Sequence, residues 1–150
     1  MHTVQQILNQ KGPYFNYIDA DATVLDALTL MKTENISYLI VLDRGKFIGI
    51  FSERDYAHKV ILMAKHSDTT GVKEIMTKDL PIIMPSATAE ECMILMNAAK
   101  VRYLPVFDNV VFIGVITIHD LIREVIAQNE KSHESFREAM SEKSQRFYWV

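Results

Sequence analysis

The sequence contains one cysteine, no long apolar run and no basic tract. A single cysteine cannot form an internal disulfide, which is typical of a reducing compartment, so we expect a cytoplasmic protein. The apolar runs, such as residues 38–42, are far shorter than the roughly 20 residues of a membrane-spanning helix. The first residues lack the charged and apolar segments of a secretory signal. The net charge of −3 disfavours nucleic acid or an anionic membrane as a partner.

The composition favours a folded protein. Of its 150 residues, 49% are hydrophobic and 23% are charged, which is close to the average for globular proteins. A chain of this length can bury a core, either as one compact domain or as two small intertwined ones.

The chain repeats itself at an offset of 65 residues. When residues 18–58 are compared with 83–123, 13 of the 41 positions are identical. The stretch 49–55 then falls on 114–120, and 36–41 falls on 101–106. Such a repeat indicates two copies of one supersecondary unit, so any site within the unit occurs twice.

Each copy is predicted to contain the same elements, which makes the fold class α/β (α+β). For the first copy the pattern predicts a helix over residues 4–10, an extended segment over 15–18, a helix with apolar residues at 24, 25, 28 and 31, strands over 37–42 and 47–51 joined by a tight turn, and a helix from Ser52. For the second it predicts helices at 72–76, 89–99 and 118–126, and strands at 82–84, 103–107 and 112–117.

These elements divide the chain into a first repeat (1–63), a linker (64–71), a second repeat (72–127) and a helical tail (128–150). Phe136 and Met140 lie at helical spacing in the polar tail. This indicates either a solvated extension of the helix or an additional dimer contact. The last five residues, 146–150, include three aromatic rings, which usually have something to pack on.

A glycine, two apolar residues, Ser or Thr, and an aspartate three positions later occur at 49–55 and again at 114–120. One interpretation is helix capping, because a Ser/Thr N-cap with an acid at the third helical position is common. The other is ligand binding. An ionised aspartate only accepts hydrogen bonds and can take both hydroxyl hydrogens of a ribose, while helix N-terminal amides favour a nearby phosphate. Repetition of the motif favours the second interpretation.

The motifs together resemble a tandem pair of cystathionine-β-synthase (CBS) domains, also called a Bateman module. The resemblance covers about residues 4–127 and rests on VKEIMT at 72–77, VRYLPV at 101–106 and the two glycine-to-aspartate stretches. The segment FSERDYAHKVI at 51–61 is similar to small stand-alone bacterial and organellar modules. The resemblance implies two β-α-β-β-α repeats packed about a pseudo-twofold axis, with their sheets face to face.

The resemblance also implies an adenosine ligand, namely AMP, ADP, ATP, NAD or S-adenosylmethionine, in clefts between the repeats. The residues it assigns are, for the ribose, Asp55 and Asp120 with Ser52 and Thr117 beside them; for phosphate, Arg54, Arg102 and His119; and for the adenine slot, Ile18, Ile36, Ile50, Ile82, Ile83, Val101, Tyr103 and Val115. Ile50 and Val115 are expected to use backbone groups as well as side chains. Because Arg54 aligns with His119 and Ser37 with Arg102, the two sites are not expected to be equivalent.

The favoured hypothesis is a non-enzymatic sensor that dimerises into a flat disc. An effector protein is a further possible partner. Its helix faces are expected to form the dimer through Val24, Leu28, Met31, Ala89, Met93 and Met96. The alternative is a structural dimerisation or docking module with vestigial clefts. The pair His119–Asp120 lacks a nucleophile and an oxyanion hole, and the histidines lack metal-ligand spacing, so no catalytic residue and no metal are expected. Cys92 is assigned to the core, as are the helical methionines.

Overall fold

A computed structural model describes the backbone of residues 1–147 and the side chains of residues 1–141. Its helices and strands are, in chain order, α1 (Val4–Lys11), β1 (Tyr17–Asp19), α2 (Val24–Glu34), β2 (Tyr38–Asp43), β3 (Lys46–Ser52), α3 (Glu53–Asp55) with a π-helical segment (Tyr56–Ile61), α4 (Val72–Ile75), α5 (Ala89–Ala99), β4 (Tyr103–Asp108), β5 (Val111–Thr117) and α6 (Ile118–Phe147).

Two β-hairpins, one from each repeat, form the centre of the fold. β2 pairs antiparallel with β3, and β4 pairs antiparallel with β5 in the equivalent register, so that Ile40 faces Ile50 and Pro105 faces Val115. The first hairpin turns through Arg44 and Gly45 with φ of +50° and +77°. Two consecutive positive φ values are the geometry of a two-residue hairpin turn, which confirms the predicted tight turn.

The leading helices are exchanged between the repeats. Val4 and Ile7 of α1 are buried in the core of the second repeat, whereas Val72 and Ile75 of α4 are buried in the core of the first. The chain ahead of each exchanged helix forms an isolated antiparallel bridge with the N-cap of the long helix it packs beside, Thr3 with Thr88 and Gly71 with Thr23. The two units are therefore intertwined.

A third apolar cluster lies between the two hairpins. It contains Ile40, Ile50 and Val115, with aromatic rings from both repeats around it. Phe47 stacks on Phe112 with ring centroids 4.5 Å apart. Because each hairpin buries one face against its own helices and the other against its counterpart, the repeats pack about a pseudo-twofold axis, as predicted.

The strand predicted at residues 82–84 is wrong. Only Ile83 pairs, through an isolated parallel bridge to Val106, in which its amide donates to Pro105 and its carbonyl accepts from Phe107. Pro81 and Pro85 flank the segment and have no amide hydrogens to extend the ladder. The three-stranded sheet of the first repeat therefore has only a two-stranded counterpart.

The helix predicted from Ser52 has a different geometry from the one expected. Three α-helical residues are followed by the π-helical segment. Of Tyr56, Ala57, Val60 and Ile61, which α-helical spacing predicts on one face, only Val60 is fully buried. π-Helical turns are rare in proteins, and those that do occur often lie at functional sites.

The predicted dimer face is wrong at four of its six positions. Val24, Met31, Ala89 and Met96 point into the cores of their own repeats and are at most 3% exposed. The apolar stripe of each long helix packs on its own sheet, beside the exchanged helix that joins the same core. Cys92 is fully buried in the same core, which confirms its assignment.

The tail continues α6 without a break to Phe147. Phe136 and Met140 are 66% and 54% exposed. The aromatic residues Tyr148 and Trp149, the final Val150 and the side chain of Phe147 lie outside the described residues. Over residues 1–147, none of the helices combines the length and apolar character required to cross a bilayer.

Candidate functional site

The first cleft lies where the β3–α3 junction of the first repeat meets the α5–β4 junction of the second. A cavity of about 640 Å³ opens there. The first repeat contributes Ser52 and Asp55, and the second contributes Arg102 and Tyr103. Binding pockets for small molecules typically measure about 300–1,000 Å³, so the cavity is large enough for a nucleotide. It is built across the repeats, as the sequence predicts.

Asp55 lies at the base of this cavity and is 5% exposed. Its Oδ2 accepts hydrogen bonds from the Ser52 amide (2.9 Å) and hydroxyl (3.0 Å). Its Oδ1 accepts from the Thr77 hydroxyl at 2.7 Å and forms an ion pair with Lys59 Nζ at 2.8 Å. The Asp55 amide donates back to Ser52 Oγ, which completes a capping box. Helix capping is thus one role of this motif.

The backbone beside Asp55 is also occupied. The Ile50 amide donates to the Thr77 carbonyl at 3.0 Å, and the Thr77 amide donates to the Ile50 carbonyl at 2.8 Å. The backbone groups of Ile50 that are expected to meet adenine therefore each have a partner within the chain, and the contact with adenine stays a prediction. Gly49 makes this bridge possible, because a Cβ there would lie 2.8 Å from the Thr77 carbonyl oxygen.

Positive charge surrounds the first cleft. Four cationic side chains line it, against the carboxylates of Glu53 and Asp55; the four are Arg54, Lys59, Lys100 and Arg102. Arg54 Nη1 also donates to the Lys100 carbonyl at 3.4 Å, which joins the two repeats across the opening. A cleft with a net excess of positive charge and two guanidinium groups suits a phosphate.

The second cleft is related to the first by the pseudo-twofold axis and consists of two adjoining cavities. One of about 460 Å³ lies over Asp120 and is lined by Ile36 and Ser37 of the first repeat. The other, of about 480 Å³, lies between Val115 and the loop that follows α1. Lys11 and Tyr38 line both cavities. A ligand spanning the two would pass Lys11.

Asp120 is 4% exposed and has two cationic partners. Its Oδ2 accepts from the Thr117 amide at 2.8 Å and from Lys11 Nζ at 2.8 Å, and its Oδ1 pairs with Arg123. Burial by itself raises the pKa of Asp120, but the hydrogen bond from Lys11 and that from the Thr117 amide outweigh it, so the net pKa is lowered. Asp120 is therefore an ionised carboxylate held inside an ion-pair network.

Among the described side chains, charge in the cavity over Asp120 is balanced. Lys11 and Arg123 face Glu53 and Asp120. The aligned positions explain the contrast with the first cleft, since Arg54 is matched by His119 and Arg102 by Ser37. The first cleft therefore has about two more positive charges than the cavity over Asp120.

A shared wall separates the clefts. Ser37 and Glu53 line both of them. Ser37 Oγ lies 2.8 Å from the Tyr103 hydroxyl, and the Tyr103 ring lies 4.5 Å from that of Tyr38. Burial raises the pKa of Tyr38 to about 12, with further contributions from the charge of Asp120 and from Tyr103. Tyr38 is therefore a neutral hydroxyl at physiological pH.

The structure brings most of the predicted site residues to one cleft or the other. The first cleft contains Ile50, Ser52, Arg54, Asp55, Val101, Arg102 and Tyr103. The second contains Ile36, Val115, Thr117, His119 and Asp120. Ile18, Ile82 and Ile83 line none of these three cavities: Ile18 is buried in the core of the first repeat, and Ile82 is 56% exposed.

Four side chains on the two aspartates were not predicted, namely Lys11, Lys59, Thr77 and Arg123. Two have a local signal: Lys59 follows Asp55 by four residues and Arg123 follows Asp120 by three, the spacings that place side chains on one helix face. Lys11 is the last residue of the exchanged helix α1, and Thr77 lies two residues after the exchanged helix α4. No local pattern places them in the clefts.

The family model of the CBS domain matches the chain twice, at residues 11–61 and 72–127. CBS domain-containing protein CBSX3, mitochondrial, from Arabidopsis thaliana is 30% identical over 138 residues, which cover 86% of this chain and 67% of that protein. The solved structure of a protein with CBS domains from Burkholderia ambifaria MC40-6, for which a role in signal transduction has been suggested, is 41% identical with a TM-score of 0.79. The match covers 84% of this chain and 95% of that one.

Two further relatives bear on catalysis and assembly. Inosine-5'-monophosphate dehydrogenase from Methanocaldococcus jannaschii is 35% identical over 108 residues, or 71% of this chain, but the match spans only 21% of that enzyme. The hexameric CBS-CP12 protein from bloom-forming cyanobacteria is 29% identical with a TM-score of 0.69, covering 81% of this chain and 66% of that one. Because the match spans only about a fifth of inosine-5'-monophosphate dehydrogenase, it gives no ground for assigning that enzyme's activity to this chain.

Proposed function

The chain belongs to the CBS domain family, and from that premise we propose that it is a regulatory module, without catalysis of its own, that binds an adenosine-containing ligand in the cleft at Asp55. The candidates remain AMP, ADP, ATP, NAD and S-adenosylmethionine. The ligand would act by favouring whichever conformation binds it more tightly. The cytoplasmic location predicted from the single cysteine stays a prediction.

One observation carries this proposal: a buried carboxylate at the base of a cavity of about 640 Å³ whose lining includes four cationic side chains. A carboxylate can accept both hydroxyl hydrogens of a ribose, and guanidinium groups bind phosphate oxygens in pairs. Val101 and Tyr103 supply apolar surface from the opposite repeat for a base. Thr77 and Lys59 now hold Asp55 Oδ1, so the ribose would replace them there.

Isothermal titration calorimetry with each of the five ligands tests the proposal. We expect at least one of them to bind, and Asp55→Asn to weaken that binding about tenfold or more, because a lost hydrogen bond to a charged group is worth about 1.5–3 kcal/mol. The wild type should bind the 2′-deoxy form more weakly than the ribose form of the same ligand. Asp55→Asn should bind the two forms equally. Absence of binding by all five at millimolar concentration would overturn the proposal.

A structural docking module is the second candidate. The favouring observation is that Asp55 already has four hydrogen-bond or ion-pair partners within the chain and Asp120 has three. A site satisfied by its own residues needs no ligand to fold. This candidate predicts a melting temperature that does not respond to adenine nucleotides, whereas a specific ligand at 100 times its Kd raises stability by about 2.7 kcal/mol.

We also propose that the chain forms a homodimer through the outer helix surfaces. α5 and α6 pack on each other and expose Ile94, Ile122 and Ile126, which are 64%, 48% and 52% exposed. These positions replace the buried ones named from the sequence. Sedimentation velocity should show a dimer for the wild type and a monomer for Ile94→Lys combined with Ile126→Lys. A monomeric wild type at all concentrations would contradict the proposal.

A further inference from the structure

Lys11 is the last residue of α1, and its ammonium group lies inside the second cleft. Nζ donates hydrogen bonds to Asp120 Oδ2 and to the Val115 carbonyl, both at 2.8 Å. These two acceptors belong to the glycine-to-aspartate motif of the second repeat. One is the carboxylate expected to hold a ribose, and the other is the backbone expected to meet a base. A bound nucleoside therefore competes with Lys11 for both.

The carboxylate of Asp120 has little unused capacity. It offers about four acceptor positions, of which the Thr117 amide, Lys11 and Arg123 occupy three. A ribose that donates two hydroxyl hydrogens must displace at least one of these partners. The Thr117 amide is fixed by the backbone. Because Lys11 also occupies the Val115 carbonyl, Lys11 is the partner that a nucleoside would displace.

Displacing Lys11 leaves its charge without a partner in a half-enclosed place. Its side chain is only 28% exposed, compared with 69% for Arg123, so bulk water cannot fully replace the lost carboxylate. Among the described side chains, the cavity over Asp120 has no net charge to offer another anion. The loss is offset when the ligand itself carries a phosphate that the released ammonium can bind.

We infer that Lys11 makes the second cleft selective for adenosyl ligands that carry a phosphate over the neutral nucleoside. The inference rests on the proposed function, since it assumes that Asp120 meets a ribose. The flexible stem and compact ammonium of lysine suit such a transfer between two anions. In the first cleft Arg54 and Arg102 are available to a phosphate without displacement of Lys59 from Asp55. The aligned positions of the second cleft are His119 and Ser37, so the dependence on the lysine that is paired with the aspartate belongs to the second cleft.

The test compares AMP with adenosine in the full-length chain carrying Asp55→Asn, which weakens the first cleft, and a two-site fit of the calorimetry gives the affinity of the second cleft. We expect AMP to bind about tenfold or more tightly than adenosine, the range of a hydrogen bond between charged groups. Adding Lys11→Met should make the two affinities similar. AMP should bind more weakly, and adenosine should bind equally well or more tightly. Lys11→Arg should keep the preference. Lys32→Met removes an exposed lysine of α2 that lies in neither cleft and should change nothing.

Lys11→Gln provides a second variant in case the methionine disturbs folding, because glutamine keeps a donor for Val115 and Asp120 without the charge. It should also reduce the preference for AMP. An unchanged ratio of AMP to adenosine affinity in folded Lys11→Met or Lys11→Gln overturns the role of Lys11 while leaving the proposed function intact. If neither compound nor any other adenosyl ligand binds the wild-type protein, the proposed function itself fails.

Discussion

Replacing Gly49 with alanine is expected to destabilise the protein and to disturb the first cleft more than the second. A Cβ at this position would lie 2.8 Å from the Thr77 carbonyl oxygen and 2.9 Å from Met76 Sδ. The methionine can move, but the carbonyl is backbone and accepts the hydrogen bond from the Ile50 amide. Relief of the clash therefore requires the segment that carries Thr77 to shift away from β3.

The size of the effect follows from two terms. Inserting a methyl group into a packed site costs about 1–3 kcal/mol, and weakening the bridge between Ile50 and Thr77 costs about 1 kcal/mol more. Alanine stabilises the folded state by roughly 0.5 kcal/mol relative to glycine, because it reduces the conformational entropy of the unfolded chain. The net loss for Gly49→Ala is therefore about 1.5–3.5 kcal/mol. The Thr77 hydroxyl, 2.7 Å from Asp55, would move with the segment, so ligand affinity at Asp55 should fall too.

Urea denaturation at a fixed protein concentration measures this loss as a lower midpoint with an unchanged slope. Gly71→Ala is the matched control, since a Cβ there would meet the flexible side chain of Glu74, with Oε1 nearest at 3.4 Å, and no backbone atom. Gly71 is the N-cap of α4, where alanine is less favourable than glycine, so we expect a loss of about 1 kcal/mol or less. If Gly49→Ala is no more destabilising than Gly71→Ala, the close approach of Thr77 to β3 is not as described.

Three further outcomes are expected. Burial raises the pKa of Asp120, but Lys11 and the Thr117 amide lower it by more, so the pKa in the folded protein is below the ordinary aspartate value. The stabilisation by this carboxylate is complete above the ordinary aspartate pKa and is lost as the pH falls through the lowered value. Asp120→Asn should therefore flatten the acid dependence of the melting temperature, and an unchanged acid dependence would refute this. Burial, with Glu91 adding to it, raises the pKa of Cys92 to about 11, so a disulfide reagent at pH 8 should label the protein only as it unfolds, and rapid labelling of the native protein would contradict this. Ala64 has φ of +54°, so Ala64→Gly should raise the free energy of unfolding by up to about 1 kcal/mol in urea titrations, whereas a decrease would count against the left-handed conformation.

The hairpins and the capping motifs could be predicted from the sequence because their signals are local. Arg44 and Gly45 between two apolar runs indicate a tight turn, and Ser52 followed by Asp55 has the spacing of a capping box. The repeat then places the equivalent features 65 residues later. Repetition of a local signal is thus what made the fold and the two aspartates predictable.

Two errors have physical causes of different kinds. The strand predicted at residues 82–84 is wrong for a local reason: Pro81 and Pro85 lack the amide hydrogens of a strand ladder, and both are present in the sequence. The π-helical segment was not predictable, since its apolar residues have a spacing that an α-helix would also show. Its consequence lies in the site, because it carries Lys59, whose ammonium group reaches Asp55 and the Thr77 hydroxyl.

Lys11 could not be placed by any local pattern. It is 109 residues from Asp120, and the two meet only because α1 packs on the second repeat. Thr77 reaches Asp55 through the corresponding exchange of α4. Residues that complete a site from an exchanged helix have no fixed spacing to the motif they complete, so a search for motifs finds the aspartates but not their partners.

The capping role of the two aspartates explains why the motifs of the two clefts are alike although the residues around them differ. The motif residues Asp55 and Asp120 cap helices, and this structural role constrains them whether or not a ligand binds. The residues around them have no such role: Arg54 against His119, Arg102 against Ser37, and a lysine that reaches Asp120 from α1 but Asp55 from its own helix. Net positive charge therefore gathers at Asp55 and is balanced at Asp120. If both clefts bind nucleotide, the one at Asp55 should bind a polyphosphate more tightly, and its affinity should fall more steeply with salt.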